Sequence, residues 1–148
     1  MLDMGPYYLT ALVNLLGPMR RIAAITGKAF DTRIITSDKK RGEKIPVETP
    51  THLTGAIEFA SGAIATVVMS FDVWSSGVPR IEVHGADGSL SAPDPNCFEG
   101  TPMLYRPDRN DGKWTPIPSG PGVYGDNPRG IGAADLALAI LSGDEHRC

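Results

Sequence analysis

One stretch of alternating apolar and polar residues predicts a β-hairpin near the middle of the chain. Residues 52–59 alternate in this way, residues 63–71 form a second extended run that is largely apolar, and the short turn Ser61-Gly62 lies between them. Successive side chains of a strand point to opposite faces, so residues two apart share a face. The apolar face of the first arm carries Leu53, Ile57 and Phe59, and its mixed face carries His52, Thr54 and Glu58. A strand pair with one apolar face needs a layer packed against that face.

Helix signals flank a region of strand signals. Pro6 suits a first helical turn and Gly17-Pro18 ends the segment, so residues 4–16 are predicted to form a helix. Residues 130–141 have apolar positions at helical spacing and predict a second one. Extended pieces are predicted at residues 21–26, 34–35, 80–85, 89–91, 103–105 and 113–116, with a charged loop over 38–43. This order indicates an α+β fold, with a largely antiparallel open-faced β-sheet and helices on one face.

Length and charge narrow the class of protein. The chain has 148 residues, which suits one domain, and residues 1–148 are predicted to form a single one. The formal net charge is -3, and basic residues cluster only at Lys39-Lys40-Arg41, so no nucleic acid is expected as a partner. Apolar runs of about nine residues fall short of the ~20 of a membrane helix. Cys97 and Cys148 have no metal or disulfide spacing, and we expect a soluble, cytoplasmic protein.

The one arrangement in the sequence that points to chemistry lies at the start of the first helix. Asp3 and Tyr7 are four positions apart, a spacing that places an acid and a phenol on one helix face. Two structural interpretations stay open beside a role in a site. Asp3 can cap the helix amides, and Tyr7 can be a half-buried packing residue.

Four stretches make the sequence similar to a known family. They are residues 2–8 leading into the first helix, 59–63 in the hairpin, 80–88 with its turn, and 130–136 in the late helix. In this order they resemble the carboxy-terminal substrate domain of the Gfo/Idh/MocA family, which includes glucose-fructose oxidoreductase and inositol dehydrogenase. The resemblance implies a chain truncated at both ends, without the Gly-rich dinucleotide-binding domain that precedes this domain in the family.

The resemblance also implies a reaction for the complete parent protein. That protein would transfer a hydride between NAD or NADP and a carbon bearing a hydroxyl, on a sugar, polyol or related alcohol. This chain alone is not expected to bind a cofactor. Tyr7 stands where many members have histidine, which implies an acid/base role, and Asp3 would orient the substrate or the phenol. A free phenol ionises only near pH ~10, so this role needs a nearby cation.

Other residues have competing interpretations. Thr10 stands where many members of the family have a second acid, and it is a candidate substrate-binding residue. Trp74 could line the substrate pocket or pack in the core at a strand end. His52 and His84 lack partners at metal-ligand spacing, so hydrogen-bonded surface positions are expected and no metal site is predicted.

Two functions stay open for the whole chain. It is either the substrate-binding and dimerising domain of an oxidoreductase or a self-associating sheet module without catalysis. Both predict a homo-oligomer through the open sheet face, because a second copy removes an uncovered apolar layer from water. Only the first predicts a small-molecule substrate such as a sugar or polyol.

Overall fold

A computed structural model of the protein describes residues 3–97, 100–118 and 130–145. Leu2 and Cys148, which entered the predictions above, lie outside these ranges. The elements in chain order are α1 (Gly5–Leu16), β1 (Met19–Gly27), β2 (Thr32–Ile34), β3 (Lys44–Pro46), β4 (His52–Phe59), β5 (Ile64–Ser70), β6 (Ile81–Gly85), β7 (Gly88–Ala92), β8 (Met103–Tyr105), β9 (Thr115–Pro116) and α2 (Ile131–Ser142). The chain divides into two compact units, Met1–Val78 and Pro79–Cys148.

The first unit is built on a three-stranded antiparallel sheet with β4 in its centre, between β1 and β5. Cross-strand pairing places Ile57 opposite Ile22 on one side and Ala65 on the other. Ile57 and Phe59 are 3% and 1% exposed, so the predicted apolar face of β4 forms the core of this unit. The predicted hairpin of β4 and β5 is confirmed.

Helix α1 packs on that apolar face. Gly5 is buried, and a Cβ at its position would lie 3.4 Å from the sulfur of Met69 near the end of β5. Met69 pairs with Leu53, a residue of the apolar face. At the other end of the helix, Ser61 of the β4–β5 turn donates a hydrogen bond of 2.7 Å to the Leu16 carbonyl. Both ends of α1 are therefore fixed to the hairpin.

The start of α1 differs from one expectation. Met4 is the N-cap residue, and no side chain caps the helix amides. Its angles, φ -90° and ψ -29°, are helical, whereas a capping residue normally has extended angles. The expectation that Asp3 caps this helix is therefore wrong. The predicted end is confirmed, because Gly17 adopts φ 89° and its N–H donates to the Val13 carbonyl at 2.8 Å.

The opposite face of this sheet, which we call the open face, carries exposed apolar side chains. Three rows cross it from β1 through β4 to β5: Ile25, Thr54 and Val68; Ala23, Ala56 and Thr66; and Arg21, Glu58 and Ile64. Ile25, Val68 and Ile64 are 76%, 60% and 78% exposed. The predicted uncovered apolar layer is present on this sheet.

A separate two-stranded sheet lies between β1 and β4 in the sequence. Strands β2 and β3 pair antiparallel, with Arg33 opposite Ile45. Only an irregular piece at residues 34–35 and a charged loop over 38–43 were predicted there, so β3 was missed. Lysine and proline, which occupy Lys44 and Pro46, are depleted in strands, and local preference therefore gave no signal for β3.

The second unit holds a four-stranded antiparallel sheet in the order β6-β7-β8-β9. A two-residue turn joins β6 and β7, as predicted, and Ile81 is buried. Gly88 is required there, because a Cβ at its position would overlap the Tyr105 carbonyl oxygen. Helix α2 follows the predicted segment closely and ends at Gly143, which adopts φ 75°.

The predicted α+β class is confirmed. Two helices accompany strands whose described pairings are all antiparallel, and α1 lies on one face of its sheet. A single sheet was expected, whereas the described strands form three. The expectation of one domain over residues 1–148 stays a prediction. Neither of the described helices has the length and apolar content that crossing a bilayer requires.

Candidate functional site

The side of α1 that faces away from the sheet carries a stripe of polar side chains, which we call the polar stripe. Tyr7 and Thr10 lie on α1 at helical spacing, Asp3 stands two residues before the helix begins, and all three are exposed. Gly5, which packs on the sheet, lies on the other side of the helix. Asn14 continues the stripe by one turn and is also exposed. Asn14 was not predicted as a site residue, although the same spacing points to it.

Trp74 lies in the segment that follows β5. Its side chain is 98% exposed, so the alternative that it packs in the core is wrong. Tyr7 and Thr10 lie on the same exposed side of α1, and Trp74 lies in solvent. The helix and this segment share a support, because Gly5 packs on Met69, five residues before Trp74.

A nearly buried carboxylate fixes the same segment. Asp72, whose side chain is 9% exposed, accepts hydrogen bonds from Thr51 Oγ1 at 2.6 Å and Arg33 Nη2 at 2.5 Å. The backbone N–H of Ala29 donates a third, at 3.2 Å. The Thr51 hydrogen bond is the main cause that holds the pKa of Asp72 below its usual value, and Arg33 adds to the effect. Arg33 also donates to the Phe71 carbonyl at 2.7 Å. We call this group the Asp72 cluster.

The Asp72 cluster was not predicted. Its members lie 21 to 43 residues away from Asp72 along the chain, so no local spacing connects them. An acid directly after a strand is common in loops and gives no sign that three donors converge on it.

Both histidines discussed above are hydrogen-bonded, as expected. His52 Nδ1 lies 2.9 Å from Ser70 Oγ, and His84 Nδ1 lies 2.9 Å from Ser89 Oγ. Within the described ranges, no three His, Cys, Asp or Glu side chains are grouped so that they could hold a metal ion.

A shallow depression of about 300 Å³ lies on the second unit, over the β6–β7 turn. Its wall includes Val83, Leu90, Leu104 and Arg106. None of the predicted site residues lines this depression, so it is not the site that the sequence indicates.

A match to a protein family shows what kind of domain this is. The sequence profile of the GFO/IDH/MocA C-terminal domain matches residues 1–91. The chain belongs to this family. The resemblance inferred from the sequence is thereby confirmed, and the match covers three of its four stretches, residues 2–8, 59–63 and 80–88.

Solved structures of oxidoreductases share the fold of this GFO/IDH/MocA domain. Levoglucosan dehydrogenase in complex with NADH and L-sorbose is 20% identical, with a TM-score of 0.70, over 96% of this chain and 41% of that one. An oxidoreductase from Agrobacterium radiobacter, in complex with NAD+, L-tartaric acid and magnesium, is 14% identical, with a TM-score of 0.58, over 94% and 38%. An NAD binding oxidoreductase from Klebsiella pneumoniae is 24% identical, with a TM-score of 0.52, over 74% and 28%. The chain thus spans less than half the length of these proteins. No curated protein matches it.

The described part of this GFO/IDH/MocA domain does not fit a dinucleotide. Dinucleotides bind at the carboxyl ends of parallel strands, beside a glycine-rich turn that opens a helix. The described strand pairs are antiparallel, and the turn between Gly85 and Gly88 leads into another strand. Among the described residues, the polar stripe presents a carboxylate, a phenol and a hydroxyl to solvent, and these groups can form hydrogen bonds with hydroxyl groups of a ligand.

Proposed function

We propose that this chain is the substrate-binding and oligomerisation domain of an NAD(P)-dependent oxidoreductase. The parent protein acts on a CH–OH group of a sugar, polyol or related alcohol, and the chain alone is inactive. Support comes from the family match and from relatives of the same fold that were solved with NADH and L-sorbose or with NAD+ and L-tartaric acid. Both of these small molecules carry hydroxyl groups on adjacent carbons.

The polar stripe on α1 is the observation that carries this proposal. Oxidation of an alcohol releases a hydride from carbon and a proton from oxygen, and each needs an acceptor. A nicotinamide, when bound, accepts the hydride. Tyr7, ionised beside a cation of the complete parent protein, takes the hydroxyl proton on its phenolate oxygen and becomes a neutral phenol. The Asp3 carboxylate accepts a hydrogen bond from a neighbouring hydroxyl of the substrate. Thr10, one turn further, contacts a third substrate oxygen.

Trp74 forms a wall of the proposed site. Its ring is almost wholly exposed and offers a large apolar area to the C–H face of a sugar. The Asp72 cluster holds the backbone two residues before Trp74, which limits the positions that the ring can take.

The experiment that tests this function is Tyr7→Phe in the complete parent protein. The change removes one hydroxyl, and we expect kcat for alcohol-dependent reduction of NAD or NADP to fall at least about 100-fold. Circular dichroism should show an unchanged fold. Tyr8→Phe, at the adjacent and less exposed tyrosine, is the matched control and keeps most of the activity. Full activity of Tyr7→Phe excludes Tyr7 as the acid/base.

A second candidate function is a self-associating sheet module without catalysis, which the exposed isoleucines of the open face favour. Calorimetric titration of the complete protein with NADH and NADPH separates the two. Binding of either nucleotide supports the oxidoreductase. A complete protein that binds neither, and reduces neither NAD nor NADP in the presence of alcohols, supports the module.

A further inference from the structure

The chain bends directly after β5, and several contacts hold the two residues of this bend. At Phe71 the backbone N–H donates to the Thr51 carbonyl at 2.8 Å, and the carbonyl accepts from Arg33 Nη2 at 2.7 Å. At Asp72 the backbone N–H donates to Ser70 Oγ at 3.0 Å, and the carboxylate receives the three donors of the Asp72 cluster. The bend is therefore fixed to β2 and to the residue that precedes β4.

The segment beyond the bend, residues 73–78, has much less support. Its one hydrogen bond to a described residue joins the Val78 N–H to Ser76 Oγ at 3.2 Å. The segment forms neither helix nor strand, and the side chains of Val73, Trp74 and Val78 are 52%, 98% and 77% exposed. Within the described part of the chain, the position of Trp74 is therefore set by the bend that precedes it.

The pair of Arg33 and Asp72 is the strongest of the contacts at the bend. Hydrogen bonds between two charged groups are about twice as strong as neutral ones, and the Asp72 side chain is only 9% exposed, so water screens the pair weakly. The Arg33 guanidinium carbon also lies 5.8 Å from the centroid of the Phe30 ring, within the range of a cation–π contact. These contacts leave the bend little conformational freedom.

A fixed indole ring favours one class of hydroxyl-rich ligand. The ring is flat and apolar, and the C–H groups on one side of a cyclic sugar form a flat apolar surface that can stack on it. An open-chain polyol rotates about its C–C bonds and keeps no such surface. A side chain that is ordered in advance also costs less conformational entropy when the ligand binds. Holding Trp74 in place therefore benefits a cyclic sugar more than an open-chain polyol.

We propose that Arg33 and Asp72 are positioning residues which, through Trp74, make the site select cyclic sugars over open-chain polyols. This inference rests on the proposed function, in which Trp74 forms a wall of the substrate site. Arg33 and Asp72 act on the ring and not on the reacting atoms. Stacking on Trp74 contributes equally to the ground state and the transition state, so the two residues affect KM more than kcat.

Steady-state kinetics of the complete parent protein test the proposal. The substrates are D-glucose, D-galactose and D-xylose, compared with the open-chain alditols of the same carbon skeletons. We expect Asp72→Asn to raise KM for the cyclic sugars at least about fivefold and KM for the alditols less than about twofold. Asp38→Asn is the matched control, because Asp38 also pairs with an arginine, at 2.9 Å, but is 94% exposed. It should change neither KM, since exposed ion pairs contribute little.

Combination with Trp74→Ala distinguishes positioning from a merely structural role. Trp74→Ala alone should raise KM for the cyclic sugars by at least as much as Asp72→Asn does. In the Trp74→Ala protein, adding Asp72→Asn should raise this KM no further, because the carboxylate acts through a ring that is no longer present. The proposal is overturned if Asp72→Asn raises KM by the same factor with and without the ring, or equally for both classes of substrate.

A milder pair of variants keeps the test valid even if Asp72→Asn fails to fold. Thr51 Oγ1 donates to the Asp72 carboxylate at 2.6 Å. Thr51→Val removes this hydroxyl at nearly constant shape, and Thr51→Ser retains it. We expect Thr51→Val to raise KM for the cyclic sugars at least about twofold, and Thr51→Ser to stay close to the unchanged protein. A Thr51→Val protein with unchanged KM overturns the proposal.

The inference and the proposed function fail in different ways. If Tyr7→Phe lowers kcat while Trp74→Ala leaves KM for the cyclic sugars unchanged, the proposed function stands and the positioning role is wrong. The same holds if the unchanged protein has an equal or higher kcat/KM for the alditols than for the sugars. A complete protein that oxidises neither class of substrate overturns both.

Discussion

Asp72 is the charged residue on which much of the local geometry of the first unit depends. Its carboxylate receives three donors, from β2, from the residue before β4 and from a backbone amide. One donor is Arg33, whose Nε is buried without a hydrogen-bond partner among the described residues. The carboxylate thus compensates the charge of a guanidinium that is partly buried. Removing either partner leaves the charge of the other one uncompensated.

We therefore expect Asp72→Asn to lower the urea midpoint of unfolding at neutral pH. The folded protein holds the pKa of Asp72 below its ordinary value of 3.8, so the unfolded chain binds this proton more readily. The stability that the carboxylate contributes is complete above the unfolded pKa of about 4 and is lost as the pH falls through the lower pKa of the folded state. The difference between the two proteins should therefore shrink in acid.

Asp31→Asn is the control for this measurement. The Asp31 carboxylate also pairs with a cation, Lys28 at 2.8 Å, but its side chain is 90% exposed. Exposed ion pairs contribute little, so its midpoint should change less than that of Asp72→Asn. An Asp72→Asn protein with the same midpoint as the unchanged protein at neutral pH contradicts the structural role of the cluster.

At the scale of elements, β1 and β4 approach so closely that only glycine fits at one position. A Cβ at Gly55 would lie 2.7 Å from the Ala23 carbonyl oxygen and 2.8 Å from the Ala24 Cβ. Both are backbone or short side-chain atoms, which cannot swing aside, so a strand must shift. We expect Gly55→Ala to lower the free energy of unfolding by about 1–3 kcal/mol, measured by urea denaturation.

Gly27→Ala at the end of β1 is the matched control for Gly55→Ala. Nothing lies within 4 Å of the position that its Cβ would occupy. Its free energy of unfolding should change by less than about 1 kcal/mol. Equal effects of the two substitutions would show that the close approach of β1 and β4 does not influence the free energy of unfolding.

The sequence predicts those elements whose signals are local. Pro6 and Gly17 bound α1, the turn Ser61-Gly62 separates the extended runs of β4 and β5, and alternation over β4 gives its buried face. Strand β3 has no such signal, because it contains Pro46. Its partner strand β2 is held by the contact of Arg33 with Asp72, which is distant in the sequence. The same division applies to the candidate site. Helical spacing predicts the polar stripe, whereas the partners of Asp72 meet only after the chain has folded.

At the scale of the whole molecule, the open face leaves apolar side chains of the first unit exposed to solvent. One of its rows runs from Ile25 through Thr54 to Val68, and Ile25 and Val68 are 76% and 60% exposed. A standard protein interface buries about 800 Å² per partner, which is the area that pairing through this face has to approach. Self-association through this face is part of the proposed function.

We expect Ile25→Asp to abolish pairing through the open face, because two copies would then bury carboxylates against each other. Light scattering coupled to size-exclusion chromatography measures the change in mass. Val78→Asp, at a position that is 77% exposed and outside the open face, is the control for an added surface charge. A mass unaffected by Ile25→Asp contradicts oligomerisation through the open face.

The contact of Gly5 with Met69 couples the first turn of α1 to β5, an edge strand of its sheet among the described strands. With no side chain between them, the helix start follows any bend or twist of that strand. The orientation of Tyr7 therefore depends on the curvature of the sheet. Under the proposed function, replacements beneath the helix should therefore change the substrate selectivity of the complete parent protein.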